Sequence, residues 1–328
     1  MIVLSIIKLI IGFLLLVKGA DAFVDGASSI AKKLRIPAFV IGLTIVAFGT
    51  SAPELAVSLT AALRGSNDIA IGNVVGSNIF NTLVVLGASA AITPIAVKKG
   101  MIKKDYPLSI FAAVLLGVLS LDMILFKKSA MTIGRVDGIV LLLAFAFFMY
   151  TTVKEGLKER AISAQESEED DKPKISIGKG ILLLLLGLAG IVLGGDSTVE
   201  GAKEIARVLG LSEALIGLTV VALGTSLPEL VTSVIAAKKG ESDIAVGNVI
   251  GSNIFNIFLI LGTSATISPM KVTETYLYDI AVLVAVMLLT YIPVAKTKKV
   301  SRVMGVAMIV VYVGYTAYLV YAECMGMR

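Results

Sequence analysis

The sequence of 328 residues contains no histidine, no tryptophan and a single cysteine. Without histidine, the chain lacks the commonest zinc ligand, the usual proton shuttle at neutral pH and any Ser-His-Asp triad. These absences argue against hydrolytic chemistry. The lone Cys324 cannot form an intrachain disulfide, so it carries no information about the redox compartment.

Charged residues are also scarce, at 16% of the chain, whereas 57% of the residues are hydrophobic and the mean hydropathy is +0.93. A soluble globular protein has about 25% charged residues, so this composition is typical of a protein embedded in a bilayer. At about 20 residues per transmembrane helix, the length accommodates about ten spans and no separate soluble domain. The N-terminal apolar run has no basic region before it and no small-residue cleavage site after it, so we expect a first span that is retained.

Apolar blocks separated by charged or Gly/Pro-rich stretches predict an all-α polytopic membrane protein with ten transmembrane helices. The predicted spans begin near Ile2, Pro37, Asp68, Tyr106, Gly134, Ile177, Glu213, Asp243, Tyr276 and Arg302. With the N-terminus outside, the cytoplasmic loops hold 19 of the 29 Lys and Arg residues and the opposite face holds 8. The positive-inside rule therefore predicts a multi-pass protein of the cell membrane with both termini extracellular. Because the basic residues are spread through short loops, no nucleic-acid partner is expected.

The chain repeats itself. A shift of 175 residues aligns residues 41–94 with 216–269 without a gap, and 34 of these 54 positions are identical, so the chain is an internal duplication. Each half holds five predicted spans, an odd number, and the second copy therefore enters the membrane from the opposite side. We expect two inverted five-helix repeats, 1–154 and 177–328, joined by a polar cytoplasmic linker, 155–176. Inverted repeats are a recurrent transporter design with the substrate site near the bilayer midplane.

Two motifs recur in both halves, inside predicted spans. They are G-T-S-x-P-E at 49–54 and 224–229, and G-N-V-x-G-S-N-I-F-N at 72–81 and 247–256. The motif glutamates, Glu54 and Glu229, each lie ten residues before a basic residue that ends the span. Each carboxylate is therefore about 15 Å from that end, near the middle of a ~30 Å hydrocarbon core. A charge at this depth costs roughly 2.5–3.5 kcal/mol, so both glutamates need a compensating partner.

The prolines of the first motif, Pro53 and Pro228, predict a break in each helix. Proline has no N–H and clashes with the carbonyl four residues earlier, here that of Gly49 or Gly224. We therefore expect carbonyls in the turns around 47–50 and 222–225 to face a ligand, which membrane-embedded backbone tolerates only where it lines a cavity.

The other polar side chains of the two motifs offer only hydroxyl and amide groups. They are Thr50, Ser51, Ser77, Asn81, Thr225, Ser226, Ser252 and Asn256. Carboxylate, carbonyl, hydroxyl and amide oxygens without imidazole or thiolate suit a hard cation. Ca²⁺, which takes 6–8 oxygens in flexible geometry, is the best divalent candidate, and Na⁺ can use subsets of the same ligands. A structural interpretation stays open for the motif glycines, as close-packing positions, and for Asn73, Asn78, Asn248 and Asn253, as interhelical hydrogen-bonding groups.

With both motifs present in two copies, the sequence resembles the alpha-repeats of sodium/calcium exchangers in the cation/calcium exchanger superfamily, over essentially its whole length. The resemblance implies a central site for three Na⁺ or one Ca²⁺. It implies that Ca²⁺ is bound by the carboxylates of Glu54 and Glu229 and by the carbonyls of Thr50 and Thr225. It also implies flanking sodium sites and a lining of the centre, formed by Ala47, Ala222, Ser51, Ser77, Ser226, Ser252, Asn81 and Asn256. The first and sixth helices would slide across the core to switch access.

Some family members, including potassium-dependent exchangers, have aspartate at the position of Asn256. Asparagine stands here in both copies, which predicts that K⁺ is not co-transported and that only two acidic side chains reach the site. Two carboxylates neutralise one Ca²⁺, whereas three Na⁺ leave one positive charge. A 3:1 exchange would therefore move charge across the membrane.

The expected activity is Na⁺/Ca²⁺ antiport by alternating access, with the transported ions and the lipid bilayer as the only partners, no cofactor and no enzymatic reaction. A Ca²⁺/H⁺ antiporter using the same two glutamates is the nearest alternative, because protons require only a basic group. An intramembrane enzyme with the glutamates as acid and base lacks a nucleophile and a cofactor motif. A structural scaffold does not explain why prolines and glutamates recur at matching depth.

Overall fold

The computed structural model describes residues 2–121, 131–165, 176–210 and 222–325. This part of the chain is mainly helical, and its helices and four short strands are numbered here in chain order. The helices are α1 (Ile2–Leu34), α2 (Ala38–Thr50), α3 (Ala52–Leu63), α4 (67–92), α5 (101–119), α6 (Arg135–Gln165), α7 (Ile177–Val208), α8 (Ala222–Gly224), α9 (Leu227–Lys238), α10 (Ser242–Ile267), α11 (Glu274–Thr297) and α12 (Arg302–Cys324). The strands are β1 (Ile95–Ala96), β2 (Thr132–Ile133), β3 (Met270–Lys271) and β4 (Lys299–Val300).

The helices begin close to where the apolar blocks predict spans. Helices α1, α7 and α12 begin at the predicted residue, and α2, α4, α6, α10 and α11 begin within two residues of it. Helix α5 begins at Met101, before the predicted Tyr106, with a π-helical turn over Met101–Asp105. The predicted span near Glu213 and the acidic run 166–171 lie outside the described residues. Helix α6 continues to Gln165, so the first part of the predicted linker is helical.

Seven of the described helices are long and apolar enough to cross a membrane, and the bent pair α2 and α3 makes an eighth candidate. The predicted helical membrane protein is thus confirmed. The count of ten spans stays a prediction, because breaks divide the second span and its copy into short helices and because 211–221 is not described.

The helices form a central and an outer layer. In the most apolar stretch of α10, 94% of the residues are buried within the protein, and in α4 the fraction is 72%. The corresponding fraction is 22% in both α1 and α7, whose remaining side chains are largely apolar and face outward. The second motif, carried by α4 and α10, is therefore at the centre of the molecule.

The repeat-equivalent helices α1 and α7 pack against each other in antiparallel orientation. Their glycines recur every seven residues, at matching positions of the two copies: Gly12, Gly19 and Gly26 in α1, and Gly187, Gly194 and Gly201 in α7. A Cβ atom on Gly194 would lie 2.4 Å from the backbone nitrogen of Leu16, and one on Gly19 would lie 2.7 Å from Gly190. Glycine is required here because the two backbones are nearly in contact.

Small strand pairs join the two halves. Strand β1 of the first half pairs antiparallel with β4 of the second, with Ile95 opposite Val300. Strand β2 of the first half pairs in the same way with β3 of the second, with Ile133 opposite Met270. The halves are therefore connected by backbone hydrogen bonds as well as by side-chain packing.

An ionic contact connects Lys239, the residue after α9, to α1. The Nζ atom of Lys239 lies 2.8 Å from Oδ1 of Asp21 and 2.7 Å from Oδ1 of Asp25. Partial burial lowers the pKa of Lys239, but the hydrogen bonds to the two aspartates outweigh this effect, and the pKa lies above its ordinary value. We name this contact the Lys239 clamp.

Candidate ion-binding site

Breaks in two helices bring the motif glutamates into the core. Helices α2 and α3 meet at an angle of 50° at Ser51, whose backbone angles, φ −82° and ψ 8°, are not helical. Ser226 occupies the same place between α8 and α9, with φ −93° and ψ 7°. The break predicted from Pro53 and Pro228 is thus observed in both halves. Each glutamate lies in the first turn of the helix after the break.

Each glutamate is hydrogen-bonded by the serine of the opposite half. The hydroxyl of Ser226 donates to Oε1 of Glu54 at 2.9 Å, and the hydroxyl of Ser51 donates to Oε1 of Glu229 at 2.9 Å. Both carboxylates are fully buried. The two G-T-S-x-P-E motifs therefore form one site, in which each half supplies a donor for the carboxylate of the other.

The serines of the second motif lie beside the same carboxylates. The Oγ atom of Ser77 is 3.1 Å from that of Ser226, and the hydroxyl of Ser252 is 3.5 Å from Oε1 of Glu229. The hydroxyls of Ser77 and Ser226 are thus within hydrogen-bond distance of each other beside Glu54. Both predicted serine pairs are thus brought together with the glutamates.

Several buried oxygens of this site have no hydrogen-bond partner among the described residues. They are Oε2 of Glu54, Oε2 of Glu229, Oδ1 of Asn81 and Oδ1 of Asn256. Buried polar atoms are normally paired, and two buried carboxylates without a positive partner are costly. Within the described ranges, no three acidic or cysteine side chains form a metal-binding group. Oxygens of these types are the ligands that a hard cation prefers.

The threonine side chains of the first motif contact asparagines of the second motif. The Thr50 hydroxyl donates to Oδ1 of Asn248 at 3.0 Å, and the Thr225 hydroxyl donates to Oδ1 of Asn73 at 3.3 Å. Each threonine hydroxyl is thus engaged by an asparagine of the opposite half.

The carbonyl of Ala47 is engaged within its own helix. It accepts the N–H of Ser51 at 3.0 Å and lies 3.4 Å from the Thr50 hydroxyl. The carbonyls that lose their usual donor to a proline are those of Gly49 and Gly224, four residues before Pro53 and Pro228. Ala222, the copy of Ala47, begins the short helix α8.

The sequence interpretation passed over two features of the site. Ser58 and Ser233 accept hydrogen bonds of 2.9 Å from Asn73 and Asn248, respectively. Both serines occupy the same position of the repeat, four residues after the glutamate. The same residue at both equivalent positions is the sequence signal that could have identified them. In addition, Asn81 begins a π-helical turn and Asn256 lies within another, a distortion that frequently occurs at functional sites.

Broken helices that present buried, unpaired oxygens at the centre of a helical bundle are characteristic of membrane transport proteins. The sequence model of the family described as "Sodium/calcium exchanger protein" matches residues 4–154 and 179–321. The chain belongs to this family, as its two motifs predict.

Individual relatives agree with this assignment over nearly the full length. The sodium/calcium exchanger MaX1 of Methanosarcina acetivorans is 38% identical over 349 residues, covering 98% of this chain and 100% of the relative. The uncharacterized membrane protein MJ0091 of Methanocaldococcus jannaschii is 38% identical, covering 95% and 97% of the two chains. A solved structure of the sodium-calcium exchanger NCX_Mj superimposes with a TM-score of 0.82 at 36% identity, covering 97% of this chain and 99% of that one.

Proposed function

We propose that this protein exchanges Na⁺ for Ca²⁺ across the cell membrane by alternating access. One observation carries the proposal: two buried carboxylates, each hydrogen-bonded by a serine of the opposite half, keep one oxygen without a partner. A divalent cation between Glu54 and Glu229 neutralises both charges. Hydroxyl and amide oxygens around them supply the further ligands that either ion requires.

The proposed Ca²⁺ ligands are the carboxylates of Glu54 and Glu229 and the carbonyls of Thr50 and Thr225. The orientation of both threonine hydroxyls toward asparagines supports the use of their carbonyls. The proposed sodium ligands and central lining are Ser51, Ser77, Ser226, Ser252, Asn81, Asn256 and the carbonyls of Ala47 and Ala222. The Ala47 carbonyl already accepts the N–H of Ser51, so an ion bound there would use its second lone pair.

We propose that the architecture is a pair of inverted five-helix repeats, 1–154 and 177–328, with both termini extracellular and 155–176 on the cytoplasmic side. The antiparallel packing of α1 with α7 supports the inversion, as do the site contacts that recur at a shift of 175 residues. The same two helices are the proposed moving element that switches access. Their contact is lined by glycines, which carry no side chains that would interlock, and their outer side is exposed.

The exchange is proposed to be electrogenic and independent of K⁺. With Asn256 in place of an acid, the proposed site holds two negative charges. They balance the charge of one Ca²⁺, whereas three Na⁺ leave one positive charge unbalanced. No cofactor, enzymatic reaction or obligatory protein partner belongs to the proposal.

The experiment is calcium uptake by purified protein in vesicles, driven by an outward sodium gradient with pH clamped on both sides. Uptake that requires sodium supports the proposal. The alternative, Ca²⁺/H⁺ antiport by the same glutamates, predicts uptake driven by a pH gradient in sodium-free buffer. The hydroxyl and amide oxygens around the carboxylates favour sodium, because protons need no such ligands.

A further inference from the structure

Two asparagines of the second motif connect the halves through the same set of hydrogen bonds. The side-chain amide of Asn73 donates to the carbonyl of Glu54 at 3.3 Å and to Ser58 at 2.9 Å. Its Oδ1 accepts the hydroxyl of Thr225, from the other half, at 3.3 Å. One side chain therefore binds the glutamate turn of its own half and the threonine of the opposite half.

Asn248 repeats this arrangement in the second half. Its amide donates to the carbonyl of Glu229 at 3.5 Å and to Ser233 at 2.9 Å, and its Oδ1 accepts the hydroxyl of Thr50 at 3.0 Å. Every partner is displaced by 175 residues from its counterpart around Asn73. Because the same contacts form in both copies of the duplication, we interpret them as a feature of the site rather than as incidental packing.

Only a carboxamide satisfies this position. Asparagine combines two N–H donors with one carbonyl acceptor, and here both functions are used. Aspartate lacks the donors, and leucine lacks both functions. The neighbouring Asn78 and Asn253 form hydrogen bonds between α4 and α10, including one from Asn256 to Asn78, and none to either glutamate turn.

We propose that Asn73 and Asn248 are positioning residues for calcium: each sets the distance between the carboxylate of its own half and the threonine carbonyl of the other. The inference rests on the proposed function, in which Ca²⁺ is bound by both carboxylates and both threonine carbonyls at once. Each threonine hydroxyl is fixed by an asparagine, and this fixes the carbonyl of the same residue. The proposed sodium sites do not use the threonine carbonyls, so loss of an asparagine contact weakens calcium binding more than sodium binding.

The test uses Thr50→Val and Asn248→Leu in the full-length protein. Thr50→Val retains the carbonyl and the side-chain shape and removes only the hydroxyl. We expect the calcium dissociation constant, from titration of the purified protein, to rise by about fivefold to tenfold, and half-saturation by sodium to change less than about twofold. Thr50→Ser, which retains the hydroxyl, should restore calcium binding. Thr44→Val is the matched control, because the Thr44 hydroxyl bonds only the Val40 carbonyl of its own helix.

A double-mutant cycle identifies the shared contact. If the Thr50 hydroxyl acts through Asn248, the combined variant has the calcium affinity of Asn248→Leu alone. Additive effects, or equal losses of calcium and sodium binding, overturn the inference. If Asn248→Leu fails to fold, the inference is tested by the calcium affinities of Thr50→Val and Thr50→Ser alone.

The outcomes separate this inference from the function on which it rests. Wild-type protein that binds calcium but does not exchange it for sodium contradicts the proposed function. Calcium titration of the variants then still tests the role of the asparagines. Wild-type protein that binds no calcium overturns both.

Discussion

The hydroxyl of Ser51, in the first half of the chain, donates a hydrogen bond of 2.9 Å to Oε1 of Glu229, in the second. The equivalent residues, Ser226 and Glu54, form the same bond in the reverse direction. Neither half therefore supplies both carboxylate and serine donor by itself, and a displacement of one half relative to the other alters both carboxylate environments together.

Replacing either glutamate by glutamine should abolish calcium binding. Glu54→Gln and Glu229→Gln each leave one negative charge opposite a divalent ion. A buried amide costs less than a buried carboxylate, so both variants should unfold at a higher temperature than wild type without ions and lose the rise in Tm that calcium produces. The measurement is thermal unfolding of the detergent-solubilised protein, with and without calcium.

Glu274→Gln is the control for this pair, since Glu274 is exposed at the start of α11. It should retain the calcium-induced rise in Tm. Calcium stabilisation that persists in both site variants contradicts the assignment of the two glutamates.

Gly194→Ala should separate α1 from α7. The added methyl group would lie 2.4 Å from the backbone nitrogen of Leu16, and flexible side-chain atoms are not available there to move aside. Overpacking of this kind costs about 1–3 kcal/mol, and we expect a lower Tm and a slower maximal exchange rate. Gly178→Ala, on the same helix but with open space around it, should leave both quantities unchanged or raise the Tm slightly. Equal behaviour of the two variants would show that the helices are not in close contact.

The Lys239 clamp should contribute a small stability that depends on salt. Its three side chains are partly exposed, so Lys239→Met should cost at most about 1 kcal/mol in low salt and almost nothing at about 1 M salt. The neighbouring exposed Lys238 provides the control variant, Lys238→Met. A loss that is independent of salt would indicate that Lys239 acts through packing rather than through charge.

The pH dependence of the clamp follows from the raised pKa of Lys239. A lysine whose pKa is higher in the folded state stabilises the fold below its ordinary pKa, and the contribution is lost as the pH rises through the folded-state value. The difference in Tm between wild type and Lys239→Met should therefore be constant from about pH 6 to 9 and decrease as the pH rises further, through the folded-state pKa of Lys239.

Membrane potential should drive the exchange. If three Na⁺ move against one Ca²⁺, one net charge crosses per cycle, which is worth about 2.3 kcal/mol at 100 mV, or roughly fiftyfold in the calcium gradient at equilibrium. Clamping vesicles at potentials of opposite sign should shift calcium accumulation accordingly, and added K⁺ at fixed potential should have no effect. Accumulation that ignores the potential would indicate an electroneutral exchange.

Much of the fold could be predicted because its signals are local. Apolar block length fixed the beginnings of α1, α7 and α12, and the missing N–H of Pro53 and Pro228 predicted the two breaks. Helix α6 extends past the predicted boundary to Gln165, because a polar run rich in Lys, Glu and Ala favours helix although it resembles a linker in charge.

By itself, the sequence determined that the protein is a duplicated helical membrane protein of the sodium/calcium exchanger family, with glutamates and other oxygen-bearing side chains inside its helices. Composition, periodicity and repeated motifs carry that information along one chain. Only the tertiary structure decided that Ser51 contacts Glu229 rather than Glu54, and that Asn73 and Asn248 connect the halves. The physical reason is that a hydrogen bond between distant segments depends on the relative position of the two packed halves. That position depends on contacts between the halves and cannot be derived from either half alone.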